Sequence, residues 1–167
     1  MSATSAQATA IVAGSFLSGA MMSLSLLAVP VLLDSTTEAS QLFFQWTRMY
    51  HYGHQALPTM AVGTFLLYSY TCIKRRSEKK SWTVFALAAS MTLSMLPFTW
   101  LCMEPTNSEL FRLEEVSRDG VVEMGMSGAR ALVVKWSLLH FVRSLFPLGG
   151  AVLGGCGDYL GEDAGRW

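Results

Sequence analysis

An ionisable pair lies inside an apolar part of the chain. Residues 135–147 (KWSLLHFVRSLFP) carry a histidine and an arginine, although the surrounding run is long enough to cross a bilayer. Trp136, His140, Arg143 and Pro147 are spaced i, i+4, i+7 and i+11, so a helix places all four on one stripe. An ionisable residue at membrane depth is costly and marks a functional site by default. We therefore expect this stripe to face other helices; the alternative is that Arg143 only reaches toward the aqueous boundary.

The chain's three histidines also suggest a metal or haem site. His51 and His54 are three residues apart and become neighbours on a helix, and His140 could supply a third imidazole. Such a set could bind zinc, iron or copper, with Glu104 as a further ligand. A four-helix bundle could also hold a b-type haem between His54 and His140. However, the His51/His54 spacing is common, and nothing in the sequence brings His140 to them.

Several other classes of function are disfavoured. The sequence has no motif of a catalytic serine or cysteine, no phosphate-binding loop and no dinucleotide fingerprint. The balance of 12 basic and 12 acidic residues gives no reason to expect nucleic acid as a partner. Three cysteines without a CxxC spacing (Cys72, Cys102 and Cys156) argue against a disulfide framework and a zinc site.

The elements that must position these residues are predicted to be membrane-spanning helices. Only 14% of the residues are charged and 51% are hydrophobic, which is typical of a membrane protein. Four stretches are uncharged or nearly so, at about 8–33, 55–73, 81–103 and 131–155. Because a backbone in lipid must satisfy its own hydrogen bonds, we expect an all-α, four-helix transmembrane bundle forming one integral membrane domain over residues 1–167.

Two further helices are expected outside the spans. Leu42, Phe43, Trp46, Met49 and Tyr50 recur with helical period, which predicts an amphipathic helix at the interface before the second span. A capping box at Ser35 and Glu38 would begin it, and Pro58 would mark its bend into the membrane.

Between the third and fourth spans we expect a short helix at the lumenal surface. A second capping box, Thr106 with Glu109, would begin that helix, and the glycines from Gly120 onward would end it.

The loop charges predict an orientation. Five basic residues in the loop between the second and third spans (Lys74, Arg75, Arg76, Lys79 and Lys80) place it in the cytosol. By alternation both termini are cytosolic, and the segments around Trp46 and Glu115 face the lumen. We expect the endoplasmic reticulum or related vesicles as the location.

Three groups of residues together resemble a known family. They are Trp46, Tyr50 and Gly53; Pro97, Thr99 and Glu104–Asn107 (EPTN); and Trp136, His140, Arg143 and Pro147. This combination resembles the fungal anthrone oxygenases, small four-helix membrane proteins of aromatic polyketide pathways. The resemblance covers nearly the whole chain, and His140 distinguishes the match from uncharacterised relatives.

The resemblance implies oxidation of an anthrone to an anthraquinone by O2 without flavin, haem or metal. His140 would be the base, because desolvation favours its neutral form, with His54 as the alternative. Arg143 would stabilise the anthrolate oxygen or superoxide, and Asn107 would hydrogen-bond the substrate. Trp46, Tyr50, Trp100 and Trp136 would stack on the flat tricyclic substrate. An interfacial aromatic belt is an equally good explanation for Trp100.

Two other hypotheses stay open at this stage. One is a membrane oxidoreductase that uses haem or a metal ion at His51, His54 and His140. The other is a non-catalytic scaffold that holds pathway enzymes at the membrane; polar residues buried between helices would count against it. The sequence leaves homo-oligomerisation and the identity of the anthrone open.

Overall fold

The computed structural model describes residues 2–121 and 123–163, with side chains up to Gly157. Within that part of the chain every regular element is a helix. The order is α1 (Ala3–Ser23), a first π-helical segment (Leu24–Ala28), α2 (Val29–Ser35), α3 (Ala39–Ser77), α4 (Thr83–Leu93), α5 (Met95–Phe98), a second π-helical segment (Thr99–Met103), α6 (Glu104–Arg118) and α7 (Met126–Asp163).

Four helical stretches are long and apolar enough to cross a membrane: Ala3–Ser35, Ala39–Ser77, Thr83–Arg118 and Met126–Gly157. The prediction of an all-α protein with four spans is confirmed. Each stretch is longer than the apolar run that predicted it, because the helices continue into polar residues beyond the hydrocarbon-length segment.

The amphipathic helix predicted before the second span is the first half of α3. Leu42, Phe43 and Trp46 are buried, as their helical spacing predicts. The helix continues through Pro58 as one element, Ala39–Ser77, and does not form two separate helices.

The short helix predicted after the third span is α6, and it continues directly from the second π segment. Leu110 and Leu113 are buried on one side, as expected. Gly120 ends this helix with φ +82°, a conformation that glycine adopts without steric cost.

Both capping boxes are wrong. Ser35 is the last residue of α2, and its hydroxyl donates to the carbonyl of Val31 in its own helix. Thr106 lies inside α6, which has already begun at Glu104, so no free helix start is there to cap. Glu109 pairs with Arg112 instead.

The chain forms two compact units, each with its own core. The first comprises the residues up to Gly19, Leu57–Pro97 and the residues from Ser144. Its core contains Ala10, Tyr68, Phe85, Ala88 and Ala89. Close contacts at glycines mark this packing, since a Cβ added at Gly150 would lie 2.2 Å from Thr92 Oγ1.

The second unit comprises Ala20–Ala56 and Phe98–Arg143, and it contains all three histidines. Its core includes Leu42, Phe43, Trp46, Met103 and Trp136. The buried residues Trp136, His140 and Arg143 lie within this unit.

Candidate functional site

The stripe of the fourth helical stretch is buried, as its chemistry predicts. Trp136 is 2% exposed, His140 1% and Arg143 9%. On the same helix Val134 and Leu138, which lie off the stripe, are exposed. The helix therefore directs its imidazole and guanidinium into protein and its aliphatic side chains outward, which avoids the cost of an arginine facing lipid.

Aromatic rings surround the start of this stripe. The rings of Trp136 and His140 stack at 4.7 Å between centroids with an interplanar angle of 30°. Trp46 meets Trp136 edge-on at 5.6 Å. Tyr50 and Phe111 add two more rings, each within 5.3 Å of Trp46. Offset and edge-to-face pairs at such distances are favourable and hold the rings in fixed orientations.

Asn107 connects α6 to this aromatic cluster. Its Oδ1 accepts a hydrogen bond of 3.0 Å from Nε1 of Trp136, and the side chain is 2% exposed. Because that bond fixes the carboxamide, its Nδ2 donors have a defined position. Nδ2 itself is buried without an acceptor among the described residues.

The two ionisable residues of the stripe are each held by a hydroxyl. His140 Nδ1 lies 3.4 Å from Ser25 Oγ, and the ring also hydrogen-bonds the backbone of Met21. Arg143 donates from Nη1 to Thr99 Oγ1 over 3.1 Å. Neither residue has a carboxylate as the acceptor of these bonds, so Arg143 keeps its positive charge available for a ligand.

Three buried side-chain nitrogen donors of this unit have no acceptor in the described part of the chain. They are Nε of Arg143, Nδ2 of Asn107 and Nε1 of Trp46. An unsatisfied buried donor costs free energy, and each such group in a folded protein requires an explanation. Donors beside fixed aromatic faces are what a flat aromatic ligand with carbonyl or phenol oxygens needs.

Tyr50 and His54 lie at the exposed side of the same cluster. Their rings stack at 5.7 Å with an angle of 10°, and Tyr50 lies within electrostatic range of Arg143 and Glu104. His54 is exposed and its Nδ1 lies 2.8 Å from the carbonyl oxygen of His51. Tyr50 is thus brought together with the buried stripe, whereas His54 is at the rim.

Trp100 is not brought to this cluster. Its side chain is 72% exposed, although it lies in the second π segment next to Thr99. An exposed tryptophan near the end of the apolar run 81–103 fits an interfacial belt, the alternative explanation given for this residue above.

The three histidines do not converge. His51 and His54 have ring centroids 5.5 Å apart and are both exposed, whereas His140 is buried. Across the described residues, no three histidine, cysteine or carboxylate side chains form a group that could hold one metal ion. A shared site at His51, His54 and His140 is therefore not built in this geometry.

Ser25, Phe111 and Thr99 belong to the site but had no assigned role in the sequence analysis. Phe111 could have been found, because it lies one turn after Asn107 on α6. Ser25 and Thr99 could not be found by helical periodicity, since each lies in a π-helical segment with a different repeat.

Comparisons with a family model and with known proteins agree on one family. The family model described as anthrone oxygenase matches residues 46–153. An anthrone oxygenase of Paecilomyces divaricatus is 69% identical over 160 residues, which cover 95% of this chain and 98% of the relative. An anthrone oxygenase of Aspergillus fumigatus is 50% identical over 148 residues, with 89% of each chain covered. A protein of Dothistroma septosporum named as a monooxygenase is 46% identical, covering 86% of this chain and 77% of the relative. No solved structure matches significantly.

Proposed function

This chain belongs to the anthrone oxygenase family and is an enzyme that oxidises anthrones, and we propose that it converts its anthrone to the anthraquinone with O2 and without a cofactor. The observation that carries the proposal is the buried contact between the Trp136 ring and the His140 ring, with Arg143 one turn further along the same stripe. This arrangement combines a base, a cation and a flat apolar face.

The first step is removal of a proton from the methylene carbon between the two outer rings. His140 is the base, and the product is an anthrolate whose negative charge lies largely on the former carbonyl oxygen. Arg143 and Asn107 stabilise that developing charge through donors that no described acceptor occupies. A fixed guanidinium costs little reorganisation when the charge appears, which favours the transition state over the bound substrate.

The second step is the reaction of this electron-rich anion with O2. One electron passes from the anthrolate to O2, and the carbon radical and superoxide combine to form a C–O bond. The resulting peroxide takes a proton from the imidazolium of His140. Loss of the remaining hydrogen from that carbon, with cleavage of the O–O bond, gives the quinone and water. The balance is one anthrone and one O2 to one anthraquinone and one water.

The aromatic cluster supplies the substrate's binding surface. Trp46, Trp136, Tyr50 and Phe111 form one cluster of ring contacts in the second unit. A planar tricycle gains stacking energy there, while its oxygens satisfy the buried donors. Buried polar residues of this kind are costly in a passive membrane scaffold and count against that hypothesis.

The lipid bilayer is the environment that the four apolar stretches require. We propose the endoplasmic reticulum or related vesicles as the location, with both termini in the cytosol. An anthrone is itself flat and apolar, so it can reach a buried site from the membrane phase.

An alanine series at the three histidines, assayed with an anthrone in lipid nanodiscs, tests the function. We expect His140→Ala to lower turnover by about two to four orders of magnitude, the usual share of a general base. His140→Gln should be nearly as damaging, because glutamine keeps a hydrogen bond but cannot take the proton. His51→Ala should have a mild effect because its side chain is exposed.

Metal analysis, the absorption spectrum and assays with a chelator provide the control for this series. Equal losses at His51, His54 and His140, together with a stoichiometric metal or haem, would mean that the base mechanism is wrong.

A further inference from the structure

Two short π-helical segments interrupt the first and third helical stretches, and each provides a hydroxyl to the candidate site. Leu24–Ala28 contains Ser25, which contacts His140, and Thr99–Met103 contains Thr99, which contacts Arg143. Single π turns are rare in helices and occur frequently at functional sites. Here both of them meet the two ionisable residues of the buried stripe.

The hydrogen bonds of Ser25 determine which way it can bond to the histidine. Its hydroxyl donates its one hydrogen to the carbonyl oxygen of Ser137 over 3.1 Å. Toward His140 Nδ1 the oxygen of Ser25 can then only accept. To act as a base the imidazole must be neutral, and a neutral imidazole has one N–H. The ring also hydrogen-bonds the backbone of Met21, so Ser25 is one of two groups that position its N–H. With Nδ1 as the donor to Ser25, Nε2 keeps the lone pair that takes a proton.

Each π segment is followed by a proline at the same distance. The amide of Val29 donates to the carbonyl of Leu24, and the amide of Glu104 donates to that of Thr99; both bonds join residues five apart. Pro30 and Pro105 come next, and neither has an N–H to continue that register. The wide turns therefore end at these prolines.

A side chain of the fourth helical stretch replaces the backbone hydrogen bond that Pro30 cannot donate. In the wide register Pro30 would have donated to the carbonyl of Ser25, and Ser137 Oγ donates to that carbonyl instead over 3.3 Å. Ser25 and Ser137 thus bond to each other twice, hydroxyl to carbonyl in both directions. This pair locks the π segment against the turn of α7 that carries His140.

Thr99 plays the corresponding part for the guanidinium. Its Oγ1 accepts from Nη1 of Arg143, so the planar fork of the guanidinium cannot rotate freely. Nε of Arg143 is buried and keeps no described acceptor. A hydroxyl partner orients the cation without neutralising it, which a carboxylate would do.

We propose that Ser25 and Thr99 are positioning residues, which the two π segments place so that Nε2 of His140 and Nε of Arg143 are presented to the substrate. This inference deepens the proposed function and rests on it. A general base in the wrong tautomer loses most of its catalytic effect, even when the protein is folded. The same holds for a cation that has rotated away from the substrate.

The direct test is the tautomer of His140 in the intact protein. The full chain, labelled with ¹⁵N at histidine and held in lipid nanodiscs, gives separate ring-nitrogen shifts, and the His140→Gln spectrum assigns those of His140. We expect Nδ1 to be protonated and Nε2 to be unprotonated in the wild type. Ser25→Ala should give a tautomer mixture, and Ser25→Thr should restore the single form. A wild-type ring protonated at Nε2, or a spectrum unchanged in Ser25→Ala, would overturn the proposal.

Kinetics with an anthrone supply the second readout. Ser25→Ala should lower kcat by up to about tenfold, with KM changed by less than about twofold, since one oriented hydrogen bond is lost from the transition state. The isotope effect with a substrate deuterated at the methylene carbon should rise. Ser25→Thr should recover most of the turnover. A loss that threonine does not rescue, or a loss seen only in KM, contradicts positioning.

A matched pair of variants tests the arginine side. Thr99→Val keeps the shape and removes the acceptor, so kcat should fall, whereas Thr99→Ser should stay near the wild type. The matched control for Ser25→Ala is Ser23→Ala, which lies in the same helical stretch. The exposed hydroxyl of Ser23 bonds only within its own helix, to the carbonyl of Ala20. Equal activity of Thr99→Val and the wild type would overturn the role of Thr99.

The base role of His140 and the positioning role of Ser25 can be tested separately. If His140→Ala retained full turnover, the proposed base would be wrong, yet the nitrogen shifts would still decide whether Ser25 sets the tautomer. If His140→Ala were inactive while Ser25→Ala kept a single tautomer and full kcat, only the positioning role would be lost.

Discussion

Single side chains carry the chemistry in this account, and the arginine is the most specific of them. Arg143 is 9% exposed and donates to a hydroxyl, not to an acid. We expect Arg143→Lys to lower kcat by about tenfold or more, because a compact ammonium does not reproduce the planar donor fork. Turnover of the purified variant in nanodiscs measures this, with retention of the folded protein checked by its elution volume. Full activity in the lysine variant would mean that only charge is needed.

Variants of Trp136 and Trp100 distinguish a tryptophan of the candidate site from one at the membrane interface. Trp136→Phe keeps a ring but removes the N–H that fixes Asn107, so we expect KM to rise and kcat to fall several-fold. Trp100→Phe changes a side chain that is 72% exposed and should leave both constants near their wild-type values. Steady-state kinetics of the two variants, side by side, check the difference. Equal damage in both would bring Trp100 back to the site.

The residues that periodicity could identify were those of the regular helices. The spacing of Trp136, His140 and Arg143 predicted one buried stripe, and the structure confirms that stripe. Asn107 and Trp46 were named from the family resemblance, and the structure places both beside Trp136. Their catalytic and binding roles stay predictions. Trp100 differs from Trp46 and Trp136 because it is exposed, and no sequence pattern predicted that exposure.

At the scale of elements, helix packing in the first unit depends on glycine. A Cβ at Gly150 would lie 2.2 Å from Thr92 Oγ1 and 2.9 Å from the backbone oxygen of Ala88, and neither atom can move freely. We expect Gly150→Ala to lower stability by about 1–3 kcal/mol through overpacking. Gly155→Ala is the matched control, because no atom lies within 4 Å of its added Cβ. Thermal unfolding in the same detergent compares them, and equal melting temperatures would contradict the close contact.

Element boundaries were harder to predict than element types. The capping patterns at Ser35 and Thr106 predict helix starts, but both residues lie within helices whose ends are set elsewhere. A capping box stabilises a free helix N-terminus, and α6 has none because it continues from the second π segment. The wide turns before Pro30 and Pro105 could be seen only in the structure, since proline alone does not specify a π register.

At the scale of the whole molecule, the four apolar stretches were predictable because lipid leaves few choices. A backbone in hydrocarbon must form helices or a closed barrel, and stretches of this length and composition favour helices. The single-domain prediction stays a prediction, while the described contacts divide the chain into two compact units. Each of those units combines segments from distant parts of the sequence, which composition along the chain could not reveal.

The orientation in the membrane is the prediction that belongs to this scale. Lys74, Arg76, Lys79 and Lys80 are exposed around the turn after α3, and we expect that turn in the cytosol. Trypsin added to sealed microsomes should cut there, while the arginines of residues 104–130 stay protected until detergent opens the vesicles. Cleavage in residues 104–130 of intact vesicles would invert the topology and move the site to the cytosolic side.

The central claim is that an anthrolate held by this protein reacts with O2 itself. The most direct measurement is a single turnover of purified protein, analysed for metal and haem, with anthrone added anaerobically and ¹⁸O2 then admitted. We predict no quinone before O2, then one labelled oxygen in the new carbonyl and one in water. Chelator should not change the rate, and His140→Ala should lower it by about two to four orders of magnitude. Quinone formed without O2, or turnover proportional to a bound metal or haem, would contradict the account.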